Sequence, residues 1–169
     1  MTIVVNDANI LIDFVKLQLL PHFFALDKIF FTSDLVIEEL HQLQYEALLP
    51  YIDSGRLQVS NITAEELIEI AILRLEKNQL SEQDCSALYF ARQKNGALIT
   101  SDNTLRKFAK EKQIEVHGHL WVFDLMRAAN TITSIRATEK LKELCEKINP
   151  KLGLPKAECD KRFKSWEKE

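Results

Sequence analysis

Two short apolar runs constrain this chain more than any other feature. Ile3-Val4-Val5 and Leu98-Ile99 are unbroken, with no polar residue alternating between them. Unbroken β-branched runs of this kind fit short strands buried on both faces, as in a parallel sheet covered by helices. An aspartate follows each run: Asp7 after Asn6, and Asp102 after Thr100-Ser101. Helical patterns come next, opened by Asn9 and continued by Ile10-Leu11-Ile12-Asp13-Phe14 in the first case, and spanning Thr104 to Lys112 in the second. Both acids are thereby placed at the carboxyl ends of strands, the edge where open α/β sheets bind ligands.

The rest of the chain supports this architecture. The pattern predicts a helix from Asn9 to about Leu20, interrupted by Pro21, and a strand over Lys28-Ile29-Phe30-Phe31-Thr32. Ser33 is a good N-cap for a helix carrying Leu35, Val36, Leu40 and Leu43. Tyr45 to Ser54 reads as a helix stopped by Gly55, and Leu57-Gln58-Val59 as a third strand. Thr63-Ala64-Glu65-Glu66 and Ser81-Glu82-Gln83-Asp84 have the form of capping boxes. The first opens a helix with Leu67, Ile70, Ala71 and Leu75, the second one with Leu88 and Ala91. Ala97 to Thr100 is a fourth strand and Ile114-Glu115-Val116 a fifth. Strands alternating with helices at this spacing predict an α/β fold. It is a three-layer α/β/α sandwich around a four- to five-stranded parallel sheet. After Gly118 the pattern turns helical throughout, with segments at Leu120–Met126, Ser134–Ile148 and from Pro155 on.

Composition narrows the function. The chain has 169 residues and a net charge of -3, so no overall basic footprint marks it as a nucleic-acid binder. A local basic patch beside a cluster of acids is still compatible with that charge. Cys85, Cys145 and Cys159 are odd in number and lack metal-site spacing, which favours free thiols and a cytoplasmic setting. There is no signal-like segment and no apolar run long enough to span a membrane. His22, His41, His117 and His119 show no zinc-site spacing, and G-x-S-x-G, P-loop and G-x-G-x-x-G motifs are absent.

The candidate site residues are acids. Asp7 and Asp102 each read as a helix cap or as a functional carboxylate, and Asn9, Asn103 or Thr104 could supply the caps instead. Glu39 lies on the margin of the apolar face of the helix from Ser33, while Glu38 reads as a solvent residue. Asp84 complements the dipole of its own helix and is also a candidate. Were Asp7, Glu39, Asp84 and Asp102 to converge, their repulsion would need a counter-charge. All-oxygen carboxylate sites suit Mg²⁺ or Mn²⁺, and such ions orient and activate a water for attack on a phosphodiester. Arg106, Lys107, Lys110 and Lys112, with Arg92 and Lys94, read either as a solvated face or as a phosphate track. Thr100, Ser101, Asn103, Arg106 and Lys107 are the candidate substrate contacts.

This constellation resembles the PIN-domain family, which includes VapC-like bacterial toxin ribonucleases. The matching segments are Val4-Val5-Asn6-Asp7-Ala8-Asn9-Ile10-Leu11, Val36-Ile37-Glu38-Glu39-Leu40, Leu80 to Leu88, and Leu98 to Arg106. The resemblance implies that Asp7, Glu39, Asp84 and Asp102 are both catalytic residues and ligands of Mg²⁺ or Mn²⁺, with Glu38 against Glu39 open by one residue. It also implies ribonuclease activity on an RNA substrate, a homodimer, and the role of toxin held inactive by an antitoxin protein. A PIN-like nuclease domain over 1–125 and a helical C-terminal extension over 126–169, packed on the same domain, complete the expectation. The rival is a catalytically inactive PIN-like module that binds RNA or protein. Trp121, Phe123, Phe163 and Trp166 read equally as core or as a partner surface.

Overall fold

The computed structural model describes residues 2–169. Five strands form one parallel sheet in the order β3-β2-β1-β4-β5. They are β1 (Thr2–Asn6), β2 (Lys28–Ser33), β3 (Leu57–Ser60), β4 (Ala97–Ile99) and β5 (Val116–His117). β1 lies at the centre, with Val4 opposite Phe30 on one side and Val5 opposite Leu98 on the other. The chain builds outward through β2 and β3, then crosses back to place β4 against the other edge of β1. Strand order therefore reverses between β1 and β4, and a crevice opens at the carboxyl ends of strands at such a reversal.

Helices cover the sheet. The helices α1 (Ala8–Lys16), α2 (Leu20–Phe24), α3 (Asp34–Glu38) and α4 (Gln42–Asp53) come first, followed by α5 (Ala64–Glu76), α6 (Glu82–Gln93) and α7 (Asn103–Glu111). The carboxyl-terminal part holds α8 (His119–Ala128), α9 (Ser134–Glu143) and α10 (Lys156–Trp166). A π-helical turn at Leu144–Ile148 extends α9, and a 3-10 turn at Pro150–Leu152 leads toward α10. α6 is buried along Cys85 to Ala91 and packs against β1, β2, β4 and α5. On α1 the buried positions Ile10, Leu11 and Phe14 follow helical spacing. Phe14 stacks on Phe23 with ring centroids 5.0 Å apart, and Phe23 and Phe24 continue the aromatic cluster to Phe30.

Several local expectations are revised. α1 ends at Lys16 because Gln18 takes a left-handed backbone (φ 58°), so Pro21 does not interrupt a long helix but sits in the first turn of α2. The helix capped by Ser33 stops after five residues, where the Glu39 and Leu40 amides bond back three residues to Val36 and Ile37. The His41 amide then donates to Gln44 Oε1 (3.0 Å) to begin α4. The stripe that was to include Leu43 is therefore broken, and Leu43 is 79% exposed. On α5 the buried residues are Ile70 and Leu73, whereas Leu67 and Leu75 are exposed beside Ile68 and Ile72. Apolar residues stand on more than one side of this helix, and packing decides which side meets α6.

The carboxyl-terminal helices close the core. Phe123 and Trp166 are buried, Phe163 packs edge-on to Trp166, and Trp121 stacks flat on His117 at 4.1 Å. His119 is 1% exposed, and its Nε2 lies 2.8 Å from Asp13 Oδ2. Asn149 Nδ2 donates to the same oxygen (3.1 Å), so Asp13 ties α1 to α8 and to the turn before α10. Among the described residues no helix is long and apolar enough to cross a membrane.

Candidate active site at the strand-order reversal

Asp7 sits at the reversal itself. Its amide donates to Ile99 O of β4 (3.0 Å), which pins the end of β1 against the end of β4. The side chain is 1% exposed and uses both oxygens. Oδ1 accepts the Ala8 amide (2.8 Å), capping α1, and Oδ2 accepts the Thr100 hydroxyl (2.7 Å). Thr100 is fully buried one residue beyond β4, and its Oγ1 also accepts the Asp102 amide (3.1 Å). One hydroxyl therefore bridges the Asp7 carboxylate to the main chain of Asp102. Sequence reading gave Thr100 as a candidate contact of substrate; the fold uses it to hold the acids.

The two roles weighed for Asp84 and Asp102 coexist. Asp102 Oδ1 accepts the Leu105 amide (2.7 Å) and caps α7. Asp84 Oδ2 accepts the Ser81 amide (2.9 Å), while Ser81 Oγ accepts the Asp84 amide (3.0 Å), forming a reciprocal capping box on α6. A carboxylate has two oxygens, and each cap takes one. Among the described residues the second oxygen of each, Oδ2 of Asp102 and Oδ1 of Asp84, has no hydrogen-bond or ion-pair partner. Asp7, not Asn9, caps α1, and Asp102 rather than Asn103 or Thr104 caps α7.

Electrostatics group three of the acids. The Asp7 carboxyl is raised from 3.8 to about 7, first by burial, then by the charge of Asp84 and, more weakly, of Glu39; the bonds from Thr100 and Ala8 pull the other way. Glu39 is also raised, by partial burial and by Asp84. Glu39, at the end of α3, couples by charge to Asp84 and Asp7 even though the expected helix face does not exist. Asp102 joins through Thr100. Among the described residues no three His, Cys, Asp or Glu side chains already form a compact ion-holding group. The donor chemistry nonetheless fits a hard divalent cation: carboxylate oxygens only, mutually repelling, with the Asp7 carboxyl raised to about 7 by burial and by the charge of its neighbours.

The basic residues divide. Arg92 pairs with Glu69 at 3.7 Å and Lys94 lies over the Phe31 ring at 4.9 Å. At 1.5 Å per residue they sit ~12 Å or more along α6 from Asp84, so the expected phosphate track does not include them. Lys112 pairs with Glu76. Arg106 and Lys107, with Ser101 and Asn103, line a cavity flanking Asp102. Sequence reading passed over Asn6, which is fully buried; its Nδ2 donates to Phe31 O (3.3 Å) and its Oδ1 has no partner among the described residues. A polar residue closing an apolar strand was the available signal.

The model of a PIN-domain family matches residues 3–152. The chain belongs to the PIN-domain family, whose members have a nuclease-type fold, are generally nucleases and generally use divalent metals. No curated protein matches the chain significantly.

Proposed function

We propose that this chain is a divalent-metal-dependent endoribonuclease that hydrolyses RNA phosphodiester bonds. One observation carries the reading: at the strand-order reversal of a PIN domain, Asp7 is buried against Thr100, and its carboxyl is raised first by that burial and then by the charges of Asp84 and, more weakly, Glu39. Asp7, Glu39, Asp84 and Asp102 would hold Mg²⁺ or Mn²⁺. Such an ion, when bound, supplies the missing positive charge and makes a coordinated water more acidic. The chain's own contribution is positional. The caps of α6 and α7 fix Asp84 and Asp102 while leaving one oxygen of each available, and Thr100 sets Asp7 against Asp102. Arg106 and Lys107, one helical turn beyond Asp102, attract the phosphate backbone.

The partner assignments rest on the family and on one surface. Ile68, Ile72 and Leu75 repeat at helical spacing on α5 and are all at least half exposed. That stripe supports a protein partner, either a second copy or the antitoxin of a toxin–antitoxin pair. The 126–169 segment serves as an extension of the nuclease domain, supported by the burial of Trp166 beside Phe123.

The test is cleavage of total cellular RNA by purified protein with Mn²⁺. Cleavage abolished by EDTA and by Asp102→Asn is expected, with calorimetry showing Mn²⁺ binding that Asp7→Asn weakens. Intact RNA across a broad panel in the presence of Mn²⁺ would overturn the nuclease assignment in favour of a binding module.

A further inference from the structure

The Asp102 flank holds a feature that the acid cluster does not need. A cavity of about 420 Å³ lies between α7, the start of α8 and the turn that leads into α10. Arg106, Lys107 and Lys110 line it on the α7 side. Among the described residues none of the three has an ion-pair partner within 4.0 Å, unlike Lys112 on the same helix, which is paired to Glu76. Ser101 and Asn103, on either side of Asp102 in sequence, line the same space, and Leu152 to Pro155 form its opposite wall.

The start of α8 adds two further polar features. Gly118 caps this ten-residue helix without a side-chain hydrogen bond, which leaves first-turn amides without a side-chain acceptor. A Cβ at Gly118 would stand 2.9 Å from Arg106 Nη1, so the absence of a side chain there lets the guanidinium lie across the helix start. His119 also lines the cavity and is 1% exposed. Asp13 Oδ2 accepts on one side of the ring, from Nε2, and already accepts from Asn149. The other ring nitrogen, Nδ1, is buried and has no partner among the described residues. An orphaned buried polar atom beside unpaired cations calls for a ligand that accepts and donates hydrogen bonds and carries negative charge. The volume exceeds what a bare anion needs and falls in the range of small-ligand sites.

We propose that this cavity binds one phosphate-bearing nucleotide unit of the substrate strand. Arg106, Lys107 and Lys110 meet the phosphate, and His119 Nδ1 and the first turn of α8 supply the inner hydrogen bonds. The proposal rests on the nuclease reading for the identity of the strand, but not for the existence of the site. With Ser101 and Asn103 shared between the cavity and the neighbours of Asp102, the unit held here lies next to the one being cut. The carboxyl-terminal turn at 152–155 therefore contributes to substrate binding.

Binding is measured without metal, so that loss of cleavage cannot be mistaken for loss of the site. The first probe is 5′-AMP, followed through the His119 ring resonances by NMR. The second is a short 3′-labelled RNA, with or without a 5′-phosphate, followed by fluorescence anisotropy in EDTA from about 50 to 200 mM salt, where phosphate contacts dominate. Wild type is compared with Arg106→Gln, Lys110→Gln and the distant exposed control Lys16→Gln. A saturable His119 shift is expected, together with RNA binding weakened about tenfold by R106Q and severalfold by K110Q. The log–log salt slope should fall by roughly 0.7 for each lost contact, and K16Q should match wild type. Tighter binding of the 5′-phosphorylated RNA assigns the cavity to a strand end, and equal binding to an internal phosphodiester; both outcomes support the site. R106Q and K110Q binding as K16Q does, or a His119 ring indifferent to 5′-AMP, overturns it. Because Lys110 is exposed, K110Q retains the test should R106Q fold poorly. RNA cleavage with no cavity effect leaves the nuclease reading standing and removes this one; 5′-AMP binding by a protein that cuts nothing does the reverse.

Discussion

Replacing Asp7 by asparagine should make the metal-free protein more stable at neutral and alkaline pH while weakening metal binding. The folded-state carboxyl is raised from 3.8 to about 7, so the folded protein holds this proton more tightly than the unfolded chain does. The stability contributed by the group is fully present below about pH 3.8 and is lost as pH rises through about 7. At ~1.4 kcal/mol per tenfold change in proton affinity, folding with Asp7 ionised costs wild type up to about 4 kcal/mol above that window. Asparagine does not titrate. Its carbonyl can still accept the Ala8 amide, but its amide nitrogen faces a Thr100 hydroxyl that now has to accept instead of donate. That hydroxyl already accepts from Asp102, and the loss of its own donated bond returns about 1 kcal/mol of the gain. The expected net gain is therefore about 2–3 kcal/mol at pH 8, shrinking steadily toward pH 4. Urea denaturation in EDTA at closely spaced pH values reads this directly. Curves for wild type and Asp7→Asn that run parallel from pH 4 to 8 would refute the placement of a buried, crowded carboxylate at this position.

Two further outcomes follow from the geometry around Asp7. Thr100→Val removes the hydroxyl that stabilises ionised Asp7 and receives the Asp102 amide. The Asp7 carboxyl should then titrate above about 7, with ~1–3 kcal/mol of stability lost at pH 8; carboxyl chemical shifts followed against pH check the first and urea midpoints the second, and an unmoved titration counts against the bridge. Gly96→Ala would drive a Cβ to 2.8 Å from the Ile3 carbonyl oxygen of the central strand. Backbone has to shift to admit it, and a loss of about 1–3 kcal/mol is expected; a variant as stable as wild type would mean that the turn into β4 does not pack against β1.

The sequence by itself determined the alternation of strands and helices, the parallel sheet and the strand-end placement of Asp7 and Asp102. These follow from local physics: apolar runs buried on both faces, caps such as Ser33, Thr63 and Ser81, and the left-handed Gly55 stop are all written in adjacent residues. That Asp7 and Asp102 cap the helices after β1 and β4 was legible for the same reason, since each lies within a few residues of the strand it follows. Tertiary structure decided what local pattern could not. Glu39 couples to Asp7 and Asp84 from the end of a five-residue helix, not from the long amphipathic face its neighbours suggested. α5 carries apolar residues on more than one side, and its packing on α6 selects Ile70 and Leu73 for burial over Leu67 and Leu75. Which basic residues stand free near Asp102, and which are spent on Glu69, Glu76 or an aromatic ring, depends on neighbours distant in sequence. No local signal marks His119 as the buried partner of Asp13, 106 residues away. Strand and cap signals act over a few residues, whereas burial, ion pairing and a carboxyl held near 7 are set by crossings of the chain that no short window contains.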